Sequence, residues 1–232
     1  MARTSNAKTL SDDIYQRMRA DILGGRLMVG QRLKLAAMAT DYGVSLNIVR
    51  EGLSRLASEK LVRTQPQQGF AVTAMTASEL KDLTLVRVAL ETLALKRSIE
   101  LGGVDWEARL LAAHHRLAHT PIQSNEQPDV RNEAYVEAHS AFHAALIGAC
   151  ESPMLLEMRQ SLHDAAELYR RLAYAKRKVH RDPDKEHKKL VDAALARDVE
   201  RATALLTSHY EETTRVCLAA GLCLPEPALK VA

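Results

Sequence analysis

Four histidines in the second half of the chain have the spacing of a metal-binding set. His139 and His143 lie four residues apart, so on a helix they project from one face. His187 and His209 are equidistant from residue 198, where the chain is predicted to turn between two helices. An antiparallel hairpin would place both at one height, roughly 16 Å from the turn at 1.5 Å per residue. Four such imidazoles would bind a transition metal such as Zn, Ni, Co or Cu.

A second group of histidines shows that the same spacing also occurs on a helix face where solvent, and not a metal, is expected. His115 and His119 have the same separation, with His114 beside them, on a predicted helix that faces solvent on that side. Histidines on a helix are more often solvated or packed than metal-bound. His163 is a further case, since it either approaches the site or simply packs.

Several arginines in the same region have the chemistry to bind an acid. A guanidinium group binds a carboxylate through two parallel hydrogen bonds, although most helix arginines are solvated. Arg170 and Arg171 follow Tyr169, and Tyr174 lies one turn further on. The candidates for binding an acid are Arg87, Arg159, Arg170 and Arg171.

The elements that must position these side chains read as helices almost throughout. Thr76 and Glu79 form a capping box, and the Pro/Gln/Asn stretch 121–129 reads as a loop. Ser152-Pro153, Asp182-Pro183 and Asp198 supply later helix starts. The pattern predicts six helices, arranged as an all-α antiparallel bundle over residues 78–221. They are expected after Thr76, from Asp105 to about His119, and at about 131–149, 153–179, 184–197 and 199–220.

The first part of the chain has a different pattern, that of a helix-turn-helix. In residues 35–56, Ala39 allows close helix approach, Gly43 tolerates a left-handed turn, and Val49 anchors the second helix. Ser45 is expected to cap that helix. Its underside is expected to be apolar, and its outward residues are available to read base edges. The underside residues are Val44, Val49, Leu53 and Leu56, and the outward ones Leu46, Asn47, Arg50, Ser54 and Arg55.

A hairpin is predicted directly after this motif. Residues 61–64 and 70–72 are β-prone, and the segment between them has the composition of a turn, with Gln68 and Gly69 at its tip. A strand pair beside a recognition helix is a wing, so residues 8–73 are predicted to be a winged helix-turn-helix.

Composition agrees with a DNA-binding chain of two domains. Among residues 1–73 there are 11 Lys and Arg against 6 Asp and Glu, whereas residues 74–232 carry 21 against 23. The positive charge that attracts phosphates therefore lies on the winged helix. The chain shows neither a membrane-length apolar run nor a signal peptide, and a cytoplasmic location is expected. Cys150, Cys217 and Cys223 lack zinc-like pairing and are interpreted as reduced packing residues.

The first region resembles the GntR family of winged-helix regulators. The matching segments are YxxxxxxILxG from Tyr15, GVSxxxVREGLSRLxxExLV from Gly43, and GFxV from Gly69. The resemblance implies a homodimer on a palindromic double-stranded DNA operator. Leu46 and Ala36 stand where many members have arginine. The implied DNA-contacting positions are Ser45, Leu46, Asn47, Arg50, Gln68 and Gly69.

The second region resembles the FCD domain found behind many such winged helices. That domain carries D-x3-H on one helix and two later histidines about 22 residues apart; here AHSAFH, KEHKK and SHYEE occupy these places. The resemblance implies one divalent transition metal per chain, with zinc expected and nickel the alternative. Since His139 replaces the usual Asp, the all-nitrogen set should be softer than usual. The family's RxxLE motif, here Arg87 to Glu91, favours Arg87 as an acid-binding residue. The implied acid-binding residues are Arg87, Arg170 and Arg171.

The sequence therefore predicts a regulator, acting as a repressor, whose helical domain binds a metal and a small organic carboxylate that modulates operator binding. One alternative is a metal-dependent hydrolase with an appended DNA-binding module. Against it, the chain has no HExxH motif, and Glu137 and Glu186 are expected to point away from the ligands, so no enzyme is predicted. A metal-free bundle that binds a bulky apolar acyl group is a third possibility.

Overall fold

The structure is a computed structural model that describes residues 10–65, 69–124, 131–175 and 181–225. The chain divides into two compact units, Met1–Met75 and Thr76–Ala232. No helix within the described residues is both long enough and apolar enough to span a membrane.

The first unit contains three helices and a small antiparallel sheet. The strands lie in the order β1-β3-β2, with Val62 opposite Val72 and Gln65 opposite Gly69. This is the predicted wing, and β1 is an addition that the sequence pattern did not reveal. The elements are α1 Leu10–Leu23, β1 Arg32–Leu33, α2 Leu35–Tyr42, α3 Leu46–Ser58, β2 Val62–Gln65 and β3 Gly69–Val72.

The turn between α2 and α3 is the one that the sequence requires. Gly43 is left-handed, with φ 68°, and its N–H donates to the carbonyl groups of Ala39 and Thr40. Gly52 matters for packing, since a Cβ there would lie 2.2 Å from the Cε atom of Met18 on α1. Val49, Leu53 and Leu56 are completely buried beneath α3, while Val44 is half-buried. The helix-turn-helix thus rests on α1 through its apolar side.

The prediction that the Ser45 side chain caps α3 is wrong. Ser45 is the N-cap residue and has extended backbone angles, but its hydroxyl makes no capping hydrogen bond. The N–H of Val49 donates to the Ser45 carbonyl at 3.3 Å, which is the ordinary first hydrogen bond of the helix.

The second unit is the predicted antiparallel helical bundle. The helix bounds agree with the sequence to within a few residues, apart from residues 176–179, which lie outside the described part. In that part the helices are α4 Ala77–Leu101, α5 Val104–Ala118, α6 Glu133–Leu146, α7 Pro153–Ala175, α8 Pro183–Leu195 and α9 Val199–Ala219.

Local capping explains where these helices begin. Thr76 and Glu79 form the complete capping box at the start of α4. The carboxylate of Asp182 accepts from the N–H of Lys185, and that of Asp198 accepts from the N–H of Arg201. These caps set the start of α8 and α9, and so the register at which the two helices face each other.

An apolar core of the bundle packs against the histidines. Trp106 on α5 is almost fully buried and donates from its indole nitrogen to the Ala145 carbonyl of α6 at 3.0 Å. Phe142 lies between His139 and His143 in the sequence of α6 and is also completely buried. Such close packing holds α6 in a single orientation, which fixes the direction of its histidines.

Candidate functional site

The exposed face of α3 is the candidate DNA-reading surface. Leu46, Asn47 and Arg50 are exposed at its N-terminal end, next to the exposed Ser45. Gly69 is exposed at the start of β3, with φ 83°. Gln68 lies outside the described residues.

Arg55 does not belong to this face, contrary to the sequence-based expectation. Its Nη1 lies 2.7 Å from Oδ1 of Asp12 on α1, and its guanidinium carbon lies 3.9 Å from the centre of the Tyr15 ring. The side chain therefore ties α3 to α1. Helical periodicity could not show this, because the partner is about forty residues away in sequence.

The structure brings His139, His143, His187 and His209 together inside the bundle. One ring nitrogen from each lies within 4.8 Å of the others, and all four side chains are buried. The ring centres of His139 and His143 are 4.6 Å apart, and those of His187 and His209 are 4.9 Å apart. The α8–α9 hairpin thus sets its two histidines at one height, as the symmetry about residue 198 predicts.

Burial keeps these imidazoles neutral. It lowers the pKa of His139, His143 and His187 well below 6.5, and neighbouring histidines and arginines lower it further. Burial also lowers the pKa of His209, to about 4, although its hydrogen bond to Glu186 opposes the shift. Neutral imidazoles have free lone pairs, as metal ligands must.

Unpaired nitrogens in the cluster fit a metal ion. Nδ1 of His139, Nε2 of His143 and both ring nitrogens of His187 are buried and have no hydrogen-bond partner among the residues that the structure describes. Buried polar atoms are rarely left in this state, and a coordinated cation would satisfy them. The all-imidazole donor set suits zinc or another late transition metal better than magnesium or calcium.

Glu186 points toward the cluster, and the expectation that it faces elsewhere is wrong. Its Oε2 lies 2.8 Å from Nδ1 of His209. The carboxylate also accepts from Arg181, whose Nε donates to Oε1 and whose Nη2 donates to Oε2. Burial raises the pKa of Glu186, but these hydrogen bonds outweigh it and bring the value to about 2. A carboxylate on Nδ1 leaves Nε2 of His209 as the ligand atom, which is a common support for metal-binding histidines.

Tyr210 and Glu91 form a second contact with the cluster. The Tyr210 hydroxyl lies 3.3 Å from Nδ1 of His143 and 2.6 Å from Oε2 of Glu91. The sequence analysis did not single out either residue for this role, although Glu91 closes the RxxLE motif.

A cavity of about 120 Å³ lies against His139 and His209. Three guanidinium groups line it together with Tyr135 and Tyr174, so its wall is cationic and partly apolar. Nε of Arg170 and Nε of Arg131 are buried and find no hydrogen-bond partner in the described part of the chain. The arginines on the wall are Arg131, Arg170 and Arg181.

Arg170 was predicted as an acid-binding residue, whereas Arg131 and Arg181 were missed. Helical periodicity could not place Arg131, because it precedes α6 and forms a bridge with Gln123. Arg181 precedes α8, and its position depends on contacts to Glu186 of α8 and Thr213 of α9.

The other predicted arginines lie away from the cavity wall. Nε of Arg87 is 3.0 Å from Oε1 of Glu91, and its guanidinium carbon lies 4.0 Å above the centre of the Tyr210 ring. Arg171 donates from both Nη atoms to the Glu133 carboxylate, at 2.5 and 2.9 Å. Nε of Arg159 lies 3.4 Å from Oε2 of Glu91, the carboxylate that also pairs with Arg87.

Among the described residues, His163, His115 and His119 are not part of this cluster. His163 is buried between Arg159 and Arg170, with its ring nitrogens 3.1 and 3.4 Å from them, so it is a packing residue beside the site. The rings of His115 and His119 pair with each other on the exposed side of α5.

Comparison with known proteins agrees with the two-part architecture. Residues 10–72 match the family of bacterial regulatory proteins called the gntR family, and residues 82–212 match the FCD domain. The chain is 39% identical over 218 residues to the uncharacterized HTH-type transcriptional regulator BphR of Paraburkholderia xenovorans, covering 94% of this chain and 89% of that one. It is 31% identical over 201 residues to the HTH-type transcriptional repressor GlaR of Escherichia coli, covering 85% and 90%.

The structural comparison gives the same fold. Escherichia coli McbR/YncC superposes with a TM-score of 0.60 at 21% identity, covering 91% of this chain and 98% of that one. These relatives are transcriptional regulators and not enzymes, so the hydrolase alternative is set aside. The chain belongs to the GntR family of DNA-binding transcriptional regulators and carries an FCD domain in its second unit.

Proposed function

We propose that this protein is a repressor whose helical unit binds one divalent transition metal and a small organic carboxylate, and that the acid modulates operator binding. The observation that carries the proposal is the set of unpaired nitrogens among four buried histidines, beside a cavity lined by arginines. Zinc is the expected ion, and nickel is the alternative.

Each residue of the proposed site has a definite task. His139, His143, His187 and His209 would hold the metal, which supplies open coordination positions for an oxygen ligand when bound. Arg170 and Arg131 have unsatisfied N–H groups at the cavity and would bind the acid. Arg171 pairs with Glu133 and Glu167, so we assign it to helix packing.

The cavity favours a small acid over a bulky acyl group. An apolar cavity of about 150 Å³ holds one benzene molecule, so about 120 Å³ accommodates a ligand of similar or smaller size. A hydrocarbon chain would leave unsatisfied the Nε–H groups of Arg131 and Arg170, which have no partner among the described residues. The metal-free acyl-binding alternative is therefore disfavoured.

DNA binding is assigned to α3 and the wing, with Ser45, Leu46, Asn47, Arg50, Gln68 and Gly69 as the proposed contacts. A homodimer would set two recognition helices on the half-sites of a palindromic operator, about one DNA turn apart. Such a regulator acts on the chromosome, which places it in the cytoplasm. Effector and operator affinities must then be linked reciprocally.

The test uses the full-length chain and an operator fragment selected by it from random DNA. A thermal-shift screen of small mono- and dicarboxylates on zinc-loaded protein identifies an acid that raises the melting temperature by mass action. That acid should weaken operator binding by roughly 1–3 kcal/mol, the usual scale of coupling between sites. An acid that binds the cavity and leaves operator affinity unchanged would contradict the sensor function.

A further inference from the structure

Three buried side chains from three helices form a continuous hydrogen-bonded line that ends at the histidine cluster. Glu91 is on α4, Tyr210 on α9 and His143 on α6, and each is at most 2% exposed. The Tyr210 oxygen lies 2.6 Å from Oε2 of Glu91 and 3.3 Å from Nδ1 of His143. The Tyr210 hydroxyl contacts the His143 ring at Nδ1 and not at Nε2.

The Tyr210 hydroxyl has one proton, and Glu91 is the stronger acceptor for it. The separation of 2.6 Å is typical of a hydroxyl that donates to a charged carboxylate. A phenol ordinarily has a pKa of about 10, so Tyr210 carries its proton at neutral pH. Its oxygen can then only accept from His143.

The Glu91 carboxylate is held in place by two cations. Nε of Arg87 lies 3.0 Å from one carboxylate oxygen, and Nε of Arg159 lies 3.4 Å from the other. These ion pairs keep Glu91 available as an acceptor for Tyr210 and restrict its rotation.

The direction of these hydrogen bonds determines the tautomer of His143. Since the Tyr210 oxygen accepts, Nδ1 of His143 must carry the ring proton, and Nε2 keeps its lone pair. Nε2 of His143 has no hydrogen-bond partner within the described residues and belongs to the four-histidine cluster.

We propose that Glu91 and Tyr210 are positioning residues for the metal, which select the Nδ1–H tautomer of His143 and present Nε2 as a ligand before the ion arrives. This rests on the proposed metal site and assigns the RxxLE segment from Arg87 to Glu91 to metal binding. A ligand fixed in its binding tautomer has less to reorganise when the ion binds, which raises affinity.

The experiment compares zinc affinity of the full-length protein and of Tyr210→Phe, measured by competition with a chromogenic chelator. Tyr210→Phe removes one oxygen and should weaken zinc binding roughly 10- to 100-fold, as loss of such a supporting contact usually does. Tyr15→Phe is the matched control, because it deletes a tyrosine hydroxyl that also donates to a glutamate, Glu59, but within the first unit. The control should bind zinc as the wild type does.

A second measurement separates positioning from a structural role. Nitrogen-15 NMR of metal-free wild-type protein should show His143 in the Nδ1–H tautomer, and Tyr210→Phe should show a mixture of tautomers with unchanged circular dichroism. Should Tyr210→Phe fail to fold, the wild-type tautomer decides the question.

The outcomes distinguish this inference from the proposed function. Wild-type protein that binds zinc while Tyr210→Phe binds it equally well, or a wild-type Nε2–H tautomer, overturns the positioning role alone. Wild-type protein that binds no zinc overturns the metal site and this role together.

Discussion

Oε2 of Glu186 lies 2.8 Å from Nδ1 of His209, so a carboxylate supports one histidine of the cluster from outside. Both residues lie on the α8–α9 hairpin, and Arg181 donates to the same carboxylate while its Nη2 also lies 3.1 Å from Nδ1 of His209. These contacts occupy Nδ1 of His209, so Nε2 is the nitrogen that remains for a metal in the proposed site.

Removal of the hairpin histidines is expected to abolish metal binding. Protein purified without chelator should hold about one transition metal per chain, and His187→Ala with His209→Ala should hold none, because half of the donor set is lost. Elemental analysis of the purified proteins measures this. The matched control is His115→Ala with His119→Ala, an exposed pair with the same helical spacing as His139 and His143. Loss of metal in the control pair would mean that the site is misplaced.

Loss of Arg50 is expected to reduce operator discrimination. Arg50 is exposed near the start of α3, where a guanidinium can read a base edge. Arg50→Ala should lose about 1–3 kcal/mol of specific binding, with a smaller effect on non-specific DNA. Fluorescence anisotropy with operator and scrambled duplexes measures both. Arg17→Ala removes the same charge from α1 and should leave the ratio of the two affinities unchanged; equal ratios for both variants would remove Arg50 from the reading set.

Adjacent arginines on α7 are expected to differ in their response to the acid. Arg170→Lys keeps the charge but loses the planar donor pair at the cavity, and should weaken acid binding roughly tenfold or more. Arg171→Lys makes the same change at a residue that pairs with Glu133, and should bind the acid normally. Isothermal titration with the acid found in the screen compares them. A defect confined to Arg171→Lys would place the acid on the other side of α7.

Metal removal is expected to blunt the response to acid. If the acid binds beside an occupied metal site, dialysis against a chelator should weaken its effect on operator binding, and added zinc should restore it. Anisotropy titrations of the stripped and restored protein provide the measurement. An undiminished response in stripped protein would show that the acid binds without the metal.

The metal-free protein is expected to lose stability in mild acid. The cluster histidines have pKa values lowered by burial, to about 4 for His209, whereas an unfolded histidine titrates near 6.5. Between these values the unfolded chain binds more protons, so stability falls as the pH drops from about 6.5 toward 4, by up to about 2 kcal/mol per histidine between pH 7 and 5. Urea unfolding in chelator at the two pH values tests this, and His209→Gln should show a smaller fall. Stability independent of pH across this window would contradict the neutral, buried state of the cluster.

Much of the architecture follows from local rules that the sequence states directly. Gly43 requires a left-handed turn, and the caps at Thr76, Asp182 and Asp198 depend on neighbours within three residues. The convergence of His187 and His209 follows from counting residues on either side of one turn. Such features depend on helix period and capping chemistry, both of which are set by short-range geometry.

The partners of long side chains were decided only by the tertiary structure. Arg55 looks outward in a helical projection, and Arg171 is a candidate to bind the acid, but they pair with Asp12 and Glu133 on other elements. Glu186 turns toward His209, and Glu91 reaches His143 through Tyr210, because packing sets the rotation of each helix about its axis. A few degrees of that rotation decide which of several reachable partners a flexible side chain contacts, and sequence spacing carries no information about it. The sequence by itself therefore determined which four histidines converge and where the helix-turn-helix lies, whereas close packing of the bundle determined which side chains contact those histidines and which arginines line the cavity.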